Sequence, residues 1–192
     1  FGAAATFSFY PGKNLGAMGD AGAIVTNDSA LAERMAMFAR HGGLTKGDHQ
    51  IEGINSRLDG LQAAILSVKL PYLEGWTNAR QRLAMTYSDA MADSPLTLPR
   101  VEQGRDSVWH LYVIQTERRD TLAKHLKARG IATSINYPRA VPLLPCYADF
   151  EHPGDGFPNA RRLADHGLAL PLFAEMKECQ QRHVISALAE FT

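Results

Sequence analysis

Cysteine is nearly missing from this chain. Its 192 residues include only Cys146 and Cys179, too few for a disulfide framework and in keeping with a reducing, cytoplasmic setting. Net charge is missing too, since 20 Lys and Arg balance 20 Asp and Glu. That balance gives no electrostatic case for nucleic acid or an anionic membrane as partner. The longest apolar run late in the chain, Leu168 to Ala174, contains Pro171 and is far shorter than the roughly 20 residues a bilayer span needs. No signal peptide is visible. The histidines at 110, 125, 152, 166 and 183 form no H-x-x-x-H or H-x-x-E-H pair, so no metal site is expected. The glycines give neither G-x-G-x-x-G nor G-x-x-x-x-G-K, which excludes dinucleotide and Walker phosphate loops. No internal repeat or low-complexity segment is present.

What is there is an ordinary globular composition, 45% hydrophobic and 21% charged. It suffices for one domain, or one and a half small ones, with a real core. The most informative stretch comes first. Phe7 to Tyr10 alternates as a brief strand, Pro11-Gly12 stops it with turn chemistry, and Lys13 follows at once. No charged residue precedes Gly12. A lysine fixed just past a strand end, in apolar surroundings, is well placed to act as a neutral amine on a carbonyl. A lysine in a turn is also an ordinary surface residue, and Lys13 alone does not decide between the two.

The rest reads in order. Gly16, Gly19 and Gly22 punctuate a turn, and Gly22 to Thr26 reads as a buried strand. Asn27-Asp28-Ser29 offers caps to a helix with Leu31, Met35 and Phe38 on one face, closed by Arg40-His41-Gly42-Gly43. His41 is expected as a partner of that helix's dipole rather than a catalyst. Residues 44–52 read as a mobile polar loop. After Gly53-Ile54-Asn55-Ser56-Arg57-Leu58 and a capping Asp59, Leu61, Ile65, Val68 and Tyr72 recur at helical spacing. Pro71 kinks or restarts that helix, which continues through Trp76, Leu83, Tyr87 and Met91. On residues alone, Asn55 and Arg57 are simply a loop before a helix.

Residues 94–104 form a linker. A strand over 108–116, a helix over 119–129 closed by Gly130, and a second strand over 131–135 make a βαβ-like unit. Residues 139–157 read as an irregular loop. Pro158 starts a helix with Leu163 and Ala164 inward, residues 168–170 form a short strand, and 175–191 form a closing helix with Val184, Ile185 and Leu188 buried.

Ser8-Phe9-x-x-x-Lys13, then Gly19-Asp20-x-Gly22-Ala23, a Val25-Thr26-Asn27-Asp28 segment and Gly53-Ile54-Asn55-Ser56-Arg57-Leu58 together resemble the DegT/StrS sugar aminotransferases. The resemblance covers essentially all 192 residues. It implies an α/β chain of the pyridoxal-phosphate-dependent transferase fold type I. Residues 1–75 would be the carboxy-terminal part of the cofactor-binding large domain, including part of its mixed sheet. Residues 76–192 would be the complete small α+β domain with a bridging helix. The chain would thus be the carboxy-terminal half of a family member. The family's pyridine-nitrogen carboxylate and ring-stacking aromatic would lie ahead of it, so the isolated chain is expected to be inactive.

The resemblance also implies roles. Lys13 would hold pyridoxal 5'-phosphate and act as the catalytic base and acid. Ser8 would bind the cofactor phosphate, with Asn55 reaching it from the partner subunit of a homodimer with shared sites. Arg57 and Tyr137 would lie at the substrate. The reaction would pass an amino group from an amino acid, glutamate or glutamine, to a nucleotide-linked keto-sugar for amino-sugar and polysaccharide biosynthesis. Lysine here argues against the related dehydratases, which carry histidine. The alternative is a non-catalytic half-length partner or dimerisation module. Two departures stand out: Gly19-Asp20-Ala21-Gly22 where the family has Gly-Glu-Gly-Gly, and Asn136-Tyr137-Pro138 where it often has His-Tyr-Pro.

Overall fold

The computed structural model describes residues 2–150 and 156–191. The chain divides into two compact units, Phe1–Glu74 and Gly75–Thr192, with the division in the first turn of a long helix.

The first unit opens with an antiparallel ribbon. Strand β1 (Ala5–Ser8) pairs with β2 (Gly22–Val25), in register from Ala5 opposite Val25 to Ser8 opposite Gly22. Of the expected mixed sheet, the described residues show this one antiparallel pair. Nor is β2 buried: Ile24 and Val25 are each 52% exposed, because two strands alone cover little of either face.

Helix α1 (Ser29–Phe38) starts where the Asp28 carboxylate accepts the Leu31 amide at 3.0 Å, a side-chain N-cap. It ends at Phe38, so Arg40 and His41 fall beyond the last turn rather than in it. His41 and Gly42 take the left-handed backbone, φ 63° and 93°, and the Gly42 amide returns to the Met37 carbonyl at 2.8 Å. His41 is thus part of the chain reversal. Residues 44–52, expected to be mobile, double back tightly. The Gln50 and Ile51 amides both donate to the Gly42 carbonyl. A Cβ at Gly42 would sit 1.6 Å from the Ile51 carbonyl oxygen, and one at Gly43 would sit 1.8 Å from that of Asp48.

Helix α2 (Gly60–Lys69) follows Asp59, whose backbone is extended but whose side chain makes no cap bond. A 3-10 turn at Leu70–Tyr72, built on Pro71, separates α2 from α3 (Leu73–Ala90). The restart at proline is as the sequence suggests. The outward stripe is not: Leu66 is the buried residue of α2, while Leu61 and Val68 are 73% and 70% exposed.

The second unit holds the core. Strand β3 (Tyr112–Gln115) pairs antiparallel with β4 (Gly167–Leu170), and Thr97 bridges Gln115 while Ser134 bridges Ala169. Residues 131–135 therefore form a single bridge rather than a strand beside β3. Both β3 and Ser134 run antiparallel to β4, so they are parallel to each other with β4 between them. The βαβ reading had the right directions and the wrong neighbours. Strand β3 also starts later than expected, because Trp109 takes a left-handed φ of 45° and interrupts the extended run.

Helices α4 (Arg119–Ala128), α5 (Pro158–His166) and α6 (Glu178–Ala189) complete this unit. Tyr87, Tyr112, Ile114, Leu122, Leu126, Leu168, Val184 and Leu188 form the core. Ala164 is buried as expected, but Leu163 is 44% exposed, and Ile185 is only partly covered. Helix α6 begins at Glu178 rather than 175, because the Gln180 side chain accepts the Lys177 amide at 2.9 Å and fixes the start there. The irregular 139–157 segment contains 3-10 turns at Val141–Leu143 and Pro145–Tyr147, and its residues 151–155 lie outside those described.

Arg80, on α3, is the buried charge of this unit. Its Nη1 donates to the carbonyls of Leu172 at 2.9 Å and of Trp109 and His110 at 3.3 Å. Burial lowers its pKa, opposed by the field of Glu175. Among the described residues no helix is long and apolar enough to cross a membrane.

The core also predicts an alkaline transition. Burial holds the Tyr87 phenol above its ordinary range, with Tyr112 nearby adding to the effect. Burial does the same for Tyr112, partly offset by its hydrogen bond with Ser88. A raised folded-state pKa means stability complete below about pH 10 and lost as pH climbs, since the unfolded chain then releases a proton the folded one keeps. In a spectrophotometric titration of the six tyrosines, Tyr87 and Tyr112 should ionise last, with the loss of helix. Tyr87→Phe should reduce that late class to one; six phenols ionising together near pH 10 would refute the account.

Candidate active-site loop

The loop carrying Lys13 is closed at its neck by backbone bonds. Ser8 ends β1, and its Oγ accepts the Tyr10 amide at a long 3.4 Å. Pro11-Gly12 then turn the chain, and the Lys13 amide donates to the Tyr10 carbonyl at 2.8 Å. The chain returns at once. The Ala17 amide reaches the Phe9 carbonyl at 2.8 Å, while the Phe9 amide donates to Ala21 at 2.9 Å. Gly16 makes the close return possible: a Cβ there would lie 2.3 Å from the Pro11 carbonyl oxygen. The Lys13 side chain is half-buried rather than buried, and the aromatic residues that precede it in the chain, Phe7 and Tyr10, are themselves exposed. Among the described residues its amine has no hydrogen bond or ion pair.

Two residues that the sequence reading passed over touch this loop. Gln62 Oε1 accepts the Met18 amide at 2.9 Å, and Lys69 Nζ donates to the Gly16 carbonyl. Both stand on α2. Their seven-residue spacing in a mostly apolar helix was the available signal, because it puts two polar side chains on one face.

Asn55 and Arg57 are brought together with each other. Arg57 Nε donates to Asn55 Oδ1 at 3.0 Å. The segment is anchored along the end of α1, with Ile54 and Ser56 amides on the Phe38 and Ala39 carbonyls and a bridge from Arg40 to Asn55. Among the described residues, no hydrogen bond joins either side chain to Ser8 or Lys13. Both line an open groove of about 1460 Å³ between the ribbon and α1, and neither Ser8 nor Lys13 is in its walls. The groove is apolar along Phe7, Ile24, Leu31, Met35 and Phe38, and it is a different place from the Lys13 amine. Tyr137, in the second unit, is 70% exposed. Among the described residues no cluster of His, Cys, Asp and Glu could hold a metal.

Solved structures settle the class of fold. The chain superposes on DesV of S. venezuelae with a TM-score of 0.92 at 44% identity, over 98% of this chain and 51% of that one. It superposes on NtdA of Bacillus subtilis, solved with bound cofactor PMP, with a TM-score of 0.84 at 30% identity, over 99% and 46%. The fold is α/β and of the sugar-aminotransferase type. A family model matches residues 1–189, and the chain belongs to the DegT/DnrJ/EryC1/StrS aminotransferase family. Among curated relatives, the erythromycin biosynthesis sensory transduction protein EryC1 of Saccharopolyspora erythraea is 47% identical over 96% of this chain and 51% of its own length. The dTDP-3-amino-3,4,6-trideoxy-alpha-D-glucose transaminase of Streptomyces venezuelae is 45% identical over 97% and 50%. The chain spans about half the length of the curated relatives it matches.

The neck of the loop makes its own prediction. Gly16→Ala should cost about 1–3 kcal/mol, because the clash is with backbone that cannot swing away, and should speed exchange of the Ala17 amide. Gly12→Ala should be nearly silent, its Cβ meeting only the Tyr10 ring at 3.8 Å. Equal exchange in the two variants would show that the return at Gly16 is not tight.

Proposed function

We propose that this chain supplies the amine-bearing part of a pyridoxal-phosphate-dependent aminotransferase that moves an amino group from an amino acid, glutamate for preference, to a nucleotide-linked keto-sugar. The observation that carries the reading is Lys13: an amine without a partner among the described residues, half-buried, on a loop whose neck is closed by backbone bonds. The donor set fits the cofactor. Among the described residues no carboxylate pairs with the amine, and the Ser8 hydroxyl accepts one long bond and donates none, which leaves its proton for a phosphate oxygen.

In this reading Lys13 holds the cofactor and Ser8 binds its phosphate. Asn55 adds a phosphate contact from the partner subunit of a homodimer, and Arg57 and Tyr137 lie at the substrate. Bound pyridoxal phosphate supplies an electron sink that no side chain offers. Lys13 Nζ is the proton carrier, taking a proton as neutral amine and returning it as ammonium. Residues 1–75 belong to the cofactor-binding large domain and 76–192 to the small domain. The exposed thiols of Cys146 and Cys179 suit a cytoplasmic enzyme.

Borohydride reduction in the presence of pyridoxal phosphate tests the assignment, and peptide mapping should find the label on Lys13. Label on Lys46 or Lys69 with Lys13 untouched would defeat it. Subunit sharing has a separate test, made in a chain of the relatives' length. Lys13→Ala and Asn55→Ala proteins, each inactive, should regain activity on mixing, since one heterodimer site keeps both native residues. No recovery after proven subunit exchange would count against donation across the interface.

A further inference from the structure

The return limb of the Lys13 loop is held at three consecutive residues. The Gly16 carbonyl takes a bond from Lys69 Nζ, the Ala17 amide donates to Phe9, and the Met18 amide donates to Gln62. The middle residue, Ala17, is 3% exposed. Two of the three tethers come from one face of α2, seven residues or about two turns apart. The Gln62 side chain also lies close over Gly19, where an added Cβ would come within 2.9 Å of its Nε2.

We propose that Gln62 and Lys69 are positioning residues for Lys13: through Met18 and Gly16 they fix the loop that presents its amine. The inference rests on the reading of Lys13 as the cofactor amine. A lysine amine sits at the end of a flexible stem, so the direction of its approach to a carbonyl depends on how firmly the backbone beneath it is fixed. Small misplacements of a reacting group cost large factors in rate. Ala17 is the single apolar residue of residues 10–19 that is buried, so these tethers rather than packing set the loop's place. The Lys69 bond is charge-assisted and the stronger kind. Helix α2 also begins directly after Asn55–Arg57, through Leu58-Asp59. One rigid element thereby carries both the lysine loop and the second pair of candidate site residues.

The test compares removal with conservation of each tether in the full 192-residue chain. Gln62→Leu and Lys69→Met remove the bonds; Gln62→Glu keeps an acceptor and Lys69→Arg keeps a donor. The readouts are the yield of borohydride-fixed pyridoxal phosphate at Lys13, amide exchange at Met18, and circular dichroism. The removing variants, still folded by dichroism, should lose about tenfold or more of the Lys13 label and exchange Met18 faster, while the conservative pair stays near wild type. If Lys69→Met does not fold, Lys69→Gln, polar but too short to reach Gly16, gives the same reading. Faster Met18 exchange with undiminished label would make the tethers structural only and overturn the proposal, as would no change in either. Label on another lysine in the unmutated chain would overturn the Lys13 reading and this inference with it. Label on Lys13 that ignores Gln62 and Lys69 overturns the inference alone.

Discussion

As described, the first unit has almost no core of its own. Of its described apolar side chains only Ala17 and Leu66 are buried, while Phe7, Ile24, Val25, Leu61 and Val68 stand exposed. Burial of one large side chain is worth about 1.5–3 kcal/mol, and this unit collects that term almost nowhere. What fixes it instead is backbone pairing with no room to slip. Gly42, Gly43 and Gly53 bring three stretches of chain closer than any Cβ would allow. The Lys13 loop repeats the device at Gly16. Hydrogen bonds add roughly 0.5–1.5 kcal/mol each, so several short ones substitute for packing. The same economy explains why both candidate site segments are loops anchored through backbone atoms, at Phe9 and Phe38.

The second unit is built the other way round. Its core runs from Tyr87 through Tyr112 and Leu122 to Leu188, and polar groups enter only when satisfied. The Tyr87 hydroxyl donates to Pro171 at 3.0 Å, and Gln181 donates to the Leu83 carbonyl at 2.7 Å. Arg80 is the exception that organises the rest. Its Nη1 gathers carbonyls from two separate stretches, 109–110 and 172, while its Nε has no hydrogen-bond partner among the described residues. A charge kept in spite of that desolvation marks a junction that neutral packing would leave loose. The left-handed Trp109 sits at this junction, its ring 5.4 Å from that of Tyr112.

This contrast decides what the sequence could and could not reveal. Where the core dominates, periodicity was readable: β3 alternates buried and half-buried residues, and Leu122 and Leu126 lie at helical spacing. Punctuation was readable too, at Asp28, Pro71, Gly130 and Pro158, because caps and prolines act locally. The outward face of α2 was not, since apolar spacing states that a face is apolar and not whether anything covers it. The insertion of β4 between β3 and Ser134 was equally hidden, because strand order is a long-range choice. At the candidate site, Lys13, Ser8, Asn55 and Arg57 were picked out by motif resemblance. Gln62 and Lys69 were missed because they act on backbone atoms forty or more residues away.

The two departures from the family pattern also have physical readings. Ala21 replaces a glycine, but it is not among the non-glycine residues with positive φ, so its methyl group imposes no backbone strain. Its carbonyl still accepts the Phe9 amide. The neighbour that must stay glycine is Gly22, where a Cβ would come within 2.9 Å of the Phe7 carbonyl oxygen. Asn136 is different. Its Oδ1 accepts the Ser134 hydroxyl at 2.8 Å, so the side chain that stands in the histidine's place is engaged with its own turn. An amide held this way has no imidazole to take up or release a proton near neutral pH. Tyr137, next in the chain, keeps its phenol 70% exposed.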